Sequence, residues 1–186
     1  DYDQWRQLGN PGWSYDDVLP YFKRAENFQG EGDSDYHGFE GPLSVKKSDR
    51  TDDLLLDKFI EAGQQAGFPL TPDFNGKQQE GFSRYEHTIK GSKRCSSARA
   101  YLHPVLKRKN LFTETNLTVD KVIFEGKKAV GVQYIIKGKK IICKANKEVI
   151  LSAGAVNSPQ ILMRSGVGDA EDIAPHGIQM NHELKG

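Results

Sequence analysis

The chain has 186 residues, with 26 Lys+Arg against 25 Asp+Glu and a formal net charge of +1. At 37% hydrophobic and 27% charged it is globular rather than disordered and long enough to bury a real core, as one sizeable domain or two small ones, while its charge balance gives no reason to expect nucleic acid or an anionic membrane as the main partner. Two cysteines, Cys95 and Cys143, exclude a disulfide scaffold and a Cys-rich zinc site, and apolar runs such as Val149–Val156 fall far short of the roughly 20 residues that a membrane-spanning helix needs.

The first third reads as loop-rich. Ser14 with Asp17 three residues later predicts a capped helix over 15–26. Gly, Asp, Ser and Pro cluster over 29–42 and predict irregular chain. Leu43-Ser44-Val45 is a short strand candidate. Leu55, Phe59, Ala62 and Ala66 then fall at helical spacing, with Asp52 as the cap and Gly67 and Pro69 as the stop. Residues 71–81 form a polar loop. One or two helical turns are expected around Ala98–Leu106, with a break or new start at Pro104. After Asn110 the pattern turns to short runs rich in Val, Ile and Phe: Leu111–Leu117, Val119–Phe124, Ala129–Ile136, Lys139–Lys144 and Glu148–Ser152. Glu125–Lys128, Lys137-Gly138 and Ala145-Asn146 are the turn signals between them. The expectation is a β-meander, a buried strand at Val149-Ile150-Leu151, and a helix capped by Asn157 or Ser158 with Pro159 in its first turn. Helices and loops come first and strands later, so the class is α/β, or α+β within this stretch, rather than a repeat or a bundle.

The most informative segment is Val149 to Pro159, where an apolar strand runs into the small residues Ser152-Ala153-Gly154-Ala155 and then a helix. Small residues let backbone approach a ligand, and a helix start favours negative charge. A tight turn with no ligand is an equally good reading of the spacing. No G-x-G-x-x-G follows a strand, so a self-contained dinucleotide site is not expected. No H-E-x-x-H, paired-Cys or G-x-S-x-G spacing occurs, and no metal site is expected. His37, His87, His103, His176 and His182 are scattered and read as surface or packing residues. Lys90, Lys93, Arg94 and Arg99, with Tyr85 and Tyr101 nearby, make a basic patch that reads as a solvated face before a phosphate site.

Gly154-Ala155, Ser158-Pro159, Ile161-Leu162 and Ser165-Gly166-Val167-Gly168 together resemble the second signature of the glucose–methanol–choline oxidoreductases. The resemblance runs over almost the whole chain, through Asp3, Trp5, Gly9-Asn10, Gly12-Trp13 and Leu19-Pro20-Tyr21-Phe22. Asp73-Phe74-Asn75-Gly76, Ser97-Ala98-Arg99-Ala100-Tyr101-Leu102-His103-Pro104 and Arg164 to Glu171 are similar to its choline dehydrogenase branch. Cys95 and Lys185 depart from the family pattern without touching the signature.

The resemblance implies a part of an FAD-binding, Rossmann-like domain interleaved with a substrate domain. Residues 1–110 are then mainly a substrate-domain segment, and 111–186 return to the FAD domain. It implies FAD as cofactor, with Val119 offering its backbone to the adenine and Ser152, Ala153 and Gly154 lining the same region. It implies a small alcohol as substrate, choline first, oxidised by hydride transfer to flavin. The electron acceptor stays open. Tyr85 and Glu86 are conceivable contacts for a quaternary ammonium. The family's Gly-rich motif would precede Asp1 and its catalytic histidine would follow Gly186, so the expectation is an internal fragment with no catalytic residue of its own. A cytoplasmic or peripherally membrane-associated location is expected. The alternative is a non-catalytic α+β binding module related to the family.

Overall fold

The computed structural model describes residues 1–47 and 53–185. Its contacts divide the chain into two compact units, Asp1–Phe112 and Thr113–Gly186. The architecture is mixed α/β. Among the described residues no helix is long and apolar enough to cross a membrane.

The first unit opens with a short helix not foreseen from the sequence, α1 (Tyr2–Gln7). Helix α2 (Tyr15–Ala25) follows, and its start is a complete capping box. The Asp17 amide donates to Ser14 Oγ at 3.2 Å, and the Ser14 amide donates to Asp17 Oδ2 at 3.0 Å. Strand β1 (Glu26–Gln29) continues directly from α2, taking Glu26 from the helix expected over 15–26 and Gln29 from the stretch expected to be irregular. It pairs in parallel with β2 (Leu43–Lys47), which pairs antiparallel with β3 (Glu86–His87). The hairpin β4 (Ile89–Lys90) and β5 (Lys93–Arg94) carries Lys90, Lys93 and Arg94 of the basic patch on exposed positions. The core of this unit holds Phe28, Cys95, Ala100, His37 and Thr71.

Helix α3 (Leu54–Gln65) forms where its periodicity places it, but two details differ. Its cap is Asp53, whose carboxylate accepts from the Leu56 amide at 3.2 Å; the expected cap, Asp52, lies outside the described residues. The expected apolar face of Leu55, Phe59, Ala62 and Ala66 is exposed, and the side that meets protein is Leu56, Ile60 and Gly63. Gly63 is there because a Cβ would lie 2.5 Å from the Phe82 ring. Around Pro104 a π-helical turn, Ala98–Leu102, gives way to a 3-10 turn, His103–Val105. Proline has no amide hydrogen to continue the first helix.

The second unit is a three-stranded antiparallel meander, β6 (Thr118–Glu125), β7 (Lys128–Ile136) and β8 (Lys139–Lys144), in sequential order. Lys137 and Gly138 form the β7–β8 turn with φ of 50° and 74°. Both positive values are what a two-residue hairpin turn of matching twist requires, and glycine supplies the second without a Cβ penalty. Leu111–Leu117 and Glu148–Ser152, both expected as strands, are not strands. Ile150, expected in a buried strand, is 75% exposed. Apolar composition marked those runs, but a strand exists only where a neighbour accepts its hydrogen bonds, and none among the described residues does. Helix α4 (Gly154–Arg164), strand β9 (Val167–Gly168), helix α5 (Ala170–Ile173) and strand β10 (His182–Glu183) follow, with β10 parallel to β9. Val122, Ile161 and Ile173 form the core here.

Candidate cofactor-facing site

Helix α4 begins at Gly154, three to four residues before the expected caps Asn157 and Ser158. Ser158 is a cap of another kind: its Oγ reaches back and accepts the Ala153 amide at 3.0 Å. That bond ties Ala153 to the first turn of the helix. Pro159 consequently sits inside α4, where its missing amide leaves the Ala155 carbonyl without its helical donor. Gly154 has φ of +90°, a conformation that side-chain-bearing residues rarely adopt. A Cβ built on Gly154 would meet no atom within 4 Å, so the turn faces open space.

Ser152, Ala153 and Gly154 are thus contiguous and exposed at the N-terminus of an eleven-residue helix. The first amides of a helix have no intrahelical acceptor, and the aligned peptide dipoles favour an anion there. No carboxylate lies in the first turn of α4.

Val119 is elsewhere on the same unit, half-buried on β6 and paired with Tyr134. The β6–β7 register shifts between Val119 and Lys121, which makes Asp120 the irregular residue. Asp120 is buried and fully engaged. Its carboxylate accepts from the Arg164 guanidinium, and its second oxygen accepts from Gln133 Nε2 at 2.6 Å. Arg164 Nε also donates to the Asp120 carbonyl at 3.0 Å. The bond from Arg164, with that from Gln133 in support, outweighs desolvation and holds the Asp120 carboxyl below the usual carboxylate range. One residue on, Ser165 Oγ accepts the Val122 amide at 2.8 Å.

The C-terminal turn of α4 is therefore clamped to β6 beside Val119. Gly154 stands at the other end of the helix, about 15 Å away at 1.5 Å per residue. The structure brings Ser152, Ala153 and Gly154 together and sets Val119 apart from them, on β6 beside the opposite end of α4.

The other candidates fare differently. Tyr85 is exposed and stacks on Phe74 with ring centroids 4.6 Å apart. The Glu86 side chain is only 3% exposed, with its Oε1 4.0 Å from Lys47 Nζ and without a hydrogen-bond partner, so it is not a ready ammonium contact. His37, read as a surface or packing residue, is buried between two carboxylates. No local motif marks the Asp120–Arg164–Ser165 clamp, although Ser165 stands within the signature. Among the described residues no group of three or more His, Cys, Asp or Glu could hold a metal ion.

Comparison with known proteins supports one lineage. The chain is 49% identical over all of its length to the mitochondrial choline dehydrogenase of Homo sapiens, covering 31% of that protein. It is 47% identical over 97% of its length to the oxygen-dependent choline dehydrogenase of Brucella ovis, covering 32% of that protein. Among solved structures, pyridoxine 4-oxidase from Mesorbium loti superposes with a TM-score of 0.87 at 28% identity, over 98% of this chain and 36% of that one. An FAD-dependent oxidoreductase from Chaetomium thermophilum does so with a TM-score of 0.88 at 28% identity, over 98% of this chain and 34% of that one. The chain spans about a third of the length of these relatives. A sequence profile described as GMC oxidoreductase matches residues 1–184, the signature at Gly154–Gly168 included, and the chain belongs to that family.

Proposed function

We propose that this chain is a segment of an FAD-dependent oxidoreductase that acts on a CH–OH group, oxidising a primary alcohol, choline to its aldehyde, and that residues 111–186 meet the cofactor. The observation that carries the cofactor part is the turn at Gly154: positive φ, open space where a side chain would stand, and a helix N-terminus directly behind it. These features fit a phosphate-bearing cofactor. The 49% identity to a choline dehydrogenase supports the choice of alcohol. In this reading residues 1–110 belong mainly to the substrate side.

FAD bound there would supply the acceptor for the hydride leaving the alcohol carbon. The chain's own part is to bind and orient. The amides at the start of α4 would hold phosphate, Ser158, which accepts the Ala153 amide, fixes the turn that presents them, and the Val119 backbone would hold the adenine. The Arg164–Asp120 clamp keeps the two ends of the platform at a constant distance. None of these residues exchanges a proton with the alcohol.

The test is made in the longest reading frame that contains this segment. Bound FAD per protein is measured for the parent, Gly154→Val and Val119→Ala, alongside the melting temperature and the choline-dependent bleaching of the flavin. Gly154→Val should lose flavin, because its side chain enters the space left open at the turn. Val119→Ala should keep it, because the expected contact is made by backbone. Full flavin in Gly154→Val would remove the turn from the cofactor site. A flavin that choline fails to bleach would overturn the substrate.

A further inference from the structure

We propose that Glu26, His37 and Asp73 form a pH-sensitive latch that holds the 71–81 loop onto the first unit. His37 is 2% exposed, and its ring stacks on Phe28 with centroids 4.1 Å apart. Its Nδ1 lies 3.0 Å from Glu26 Oε2, and its Nε2 lies 2.6 Å from Asp73 Oδ2. A neutral imidazole has one N–H and can donate to one carboxylate only, leaving its other nitrogen lone pair against an oxygen lone pair. Two carboxyl groups at hydrogen-bond distance therefore need two protons shared among the three groups, and with both carboxylates ionised the ring is the imidazolium. Glu26 Oε2 also accepts the Gly38 amide at 3.1 Å, and Asp73 Oδ1 accepts the Asn75 amide at 2.8 Å. Both carboxylates are thus held by backbone amides as well as by the ring.

The latch joins distant segments. Glu26 begins β1, His37 lies in the irregular stretch after it, and Asp73 is 36 residues further on. The charged groups around it come from the sheet: Lys47 of β2 acts on Asp73 and donates to the Pro72 carbonyl at 2.7 Å, and Glu86 of β3 stands 4.0 Å from that ammonium. Phe74, next to Asp73, is the partner on which Tyr85 stacks. Release of Asp73 would free that ring pair as well as the loop.

Burial pushes the His37 pKa down, but the bonds to Asp73 and Glu26 more than offset it, and the net shift is upward. Burial likewise pushes Asp73 up, and its bond to His37 with that of the Asn75 amide brings it below the ordinary carboxylate value. For His37 the stabilisation is complete below its unfolded value of about 6.5 and is lost as pH rises through the raised folded value. For Asp73 it is complete above about 3.9 and is lost as pH falls through the depressed one. The loop is then held across mildly acidic and neutral pH, and released on the alkaline side first by loss of the His37 proton.

Amide hydrogen exchange of 71–82, followed by mass spectrometry across about pH 5 to 10 and corrected for intrinsic rates, tests this together with an NMR titration of the His37 ring. Protection of the loop should fall by up to about tenfold per pH unit above the His37 midpoint, while β6 and β7 stay unchanged. Asp73→Asn should lower loop protection at neutral pH by on the order of tenfold and flatten its pH dependence, and Glu26→Gln should shift the midpoint downward. Loop protection that is flat through the His37 titration, or unaltered in Asp73→Asn, would overturn the latch. Should Asp73→Asn fail to fold, the unmodified chain decides: coincident midpoints for ring and loop support it, and separate midpoints refute it.

Discussion

Asp120 shows how one side chain fixes a junction. It occupies the irregular position of β6, it is 7% exposed, and it receives bonds from Arg164 and Gln133. Removing its carboxylate leaves the Gln133 amide and one amine of Arg164 without their acceptor, with only the Arg164 Nε bond to the backbone carbonyl retained, at a strand already out of regular register. Hydrogen bonds to a charged group are worth roughly 1.5–3 kcal/mol, less where one partner is wet, and the Arg164 side chain is 49% exposed. Asp120→Ala should therefore cost about 1–3 kcal/mol by urea denaturation at neutral pH, and Arg164→Ala less. Because the folded carboxyl titrates below its usual range, the difference between parent and Asp120→Ala should persist above about pH 4 and shrink as pH falls through the depressed value. A constant difference down to strong acid would show that the charge is not what matters. This clamp was hidden in the sequence because its partners stand 44 residues apart. His37 was hidden for the same reason: the carboxylates that hold it are 11 and 36 residues away. Local motifs report on neighbours along the chain, and neither cluster has any.

At the scale of elements, α3 separates propensity from packing. Its helical period is plain in the sequence, yet the face chosen as core, Leu55 and Phe59, is exposed, while Gly63 is buried against Phe82. In an isolated helix Gly→Ala gains about 1 kcal/mol. Here the added methyl would sit 2.5 Å from a ring that also packs with Phe59 and Phe68. Overpacking of that kind costs about 1–3 kcal/mol, so Gly63→Ala should be net destabilising, while Leu55→Ala should stay within about 0.5 kcal/mol. Denaturation midpoints giving the reverse order would mean that the apolar stripe, not the glycine, faces the core. The period says that a helix has two sides, and only the surrounding chain says which is covered. The same distinction runs through the strands. The β6–β7–β8 meander was legible from its alternation and its turn residues, because each strand pairs with the next in sequence. Val149–Leu151 and Leu111–Leu117 have the composition of strands, and no adjacent run in sequence supplies them with a ladder. Helix α4 starts before the expected caps because Ser158, which has the residue type of an N-cap, closes its hydroxyl on an amide five residues back.

For the whole molecule the surface area carries the argument. The chain exposes 14534 Å². A folded monomer of its mass exposes about 8,900 Å², and two separate units of these sizes about 10,700 Å² in all. The excess therefore does not depend on how the units are arranged. Large apolar side chains contribute to it: Phe112, Val156, Leu55 and Ile150 are each at least three-quarters exposed. An aromatic groove of about 680 Å³ runs between Tyr2, Trp5, Trp13, Tyr21 and Phe22 in the first unit. Ile150 and Val156 flank the turn at Gly154, which places uncovered apolar surface beside the face assigned to the cofactor. Contiguous exposed apolar surface of a few hundred Å² or more marks a face that another body covers. The isolated chain should then combine native secondary structure with strong binding of a hydrophobic dye, and should self-associate as its concentration rises. Ile150→Ser with Val156→Ser should reduce dye binding and association with little change in the melting temperature, since neither side chain contributes to a core. Fluorescence titration and sedimentation velocity read both quantities. A chain that stays monomeric, melts cooperatively and leaves the dye dark would mean that these residues are covered by the chain's own folding in solution.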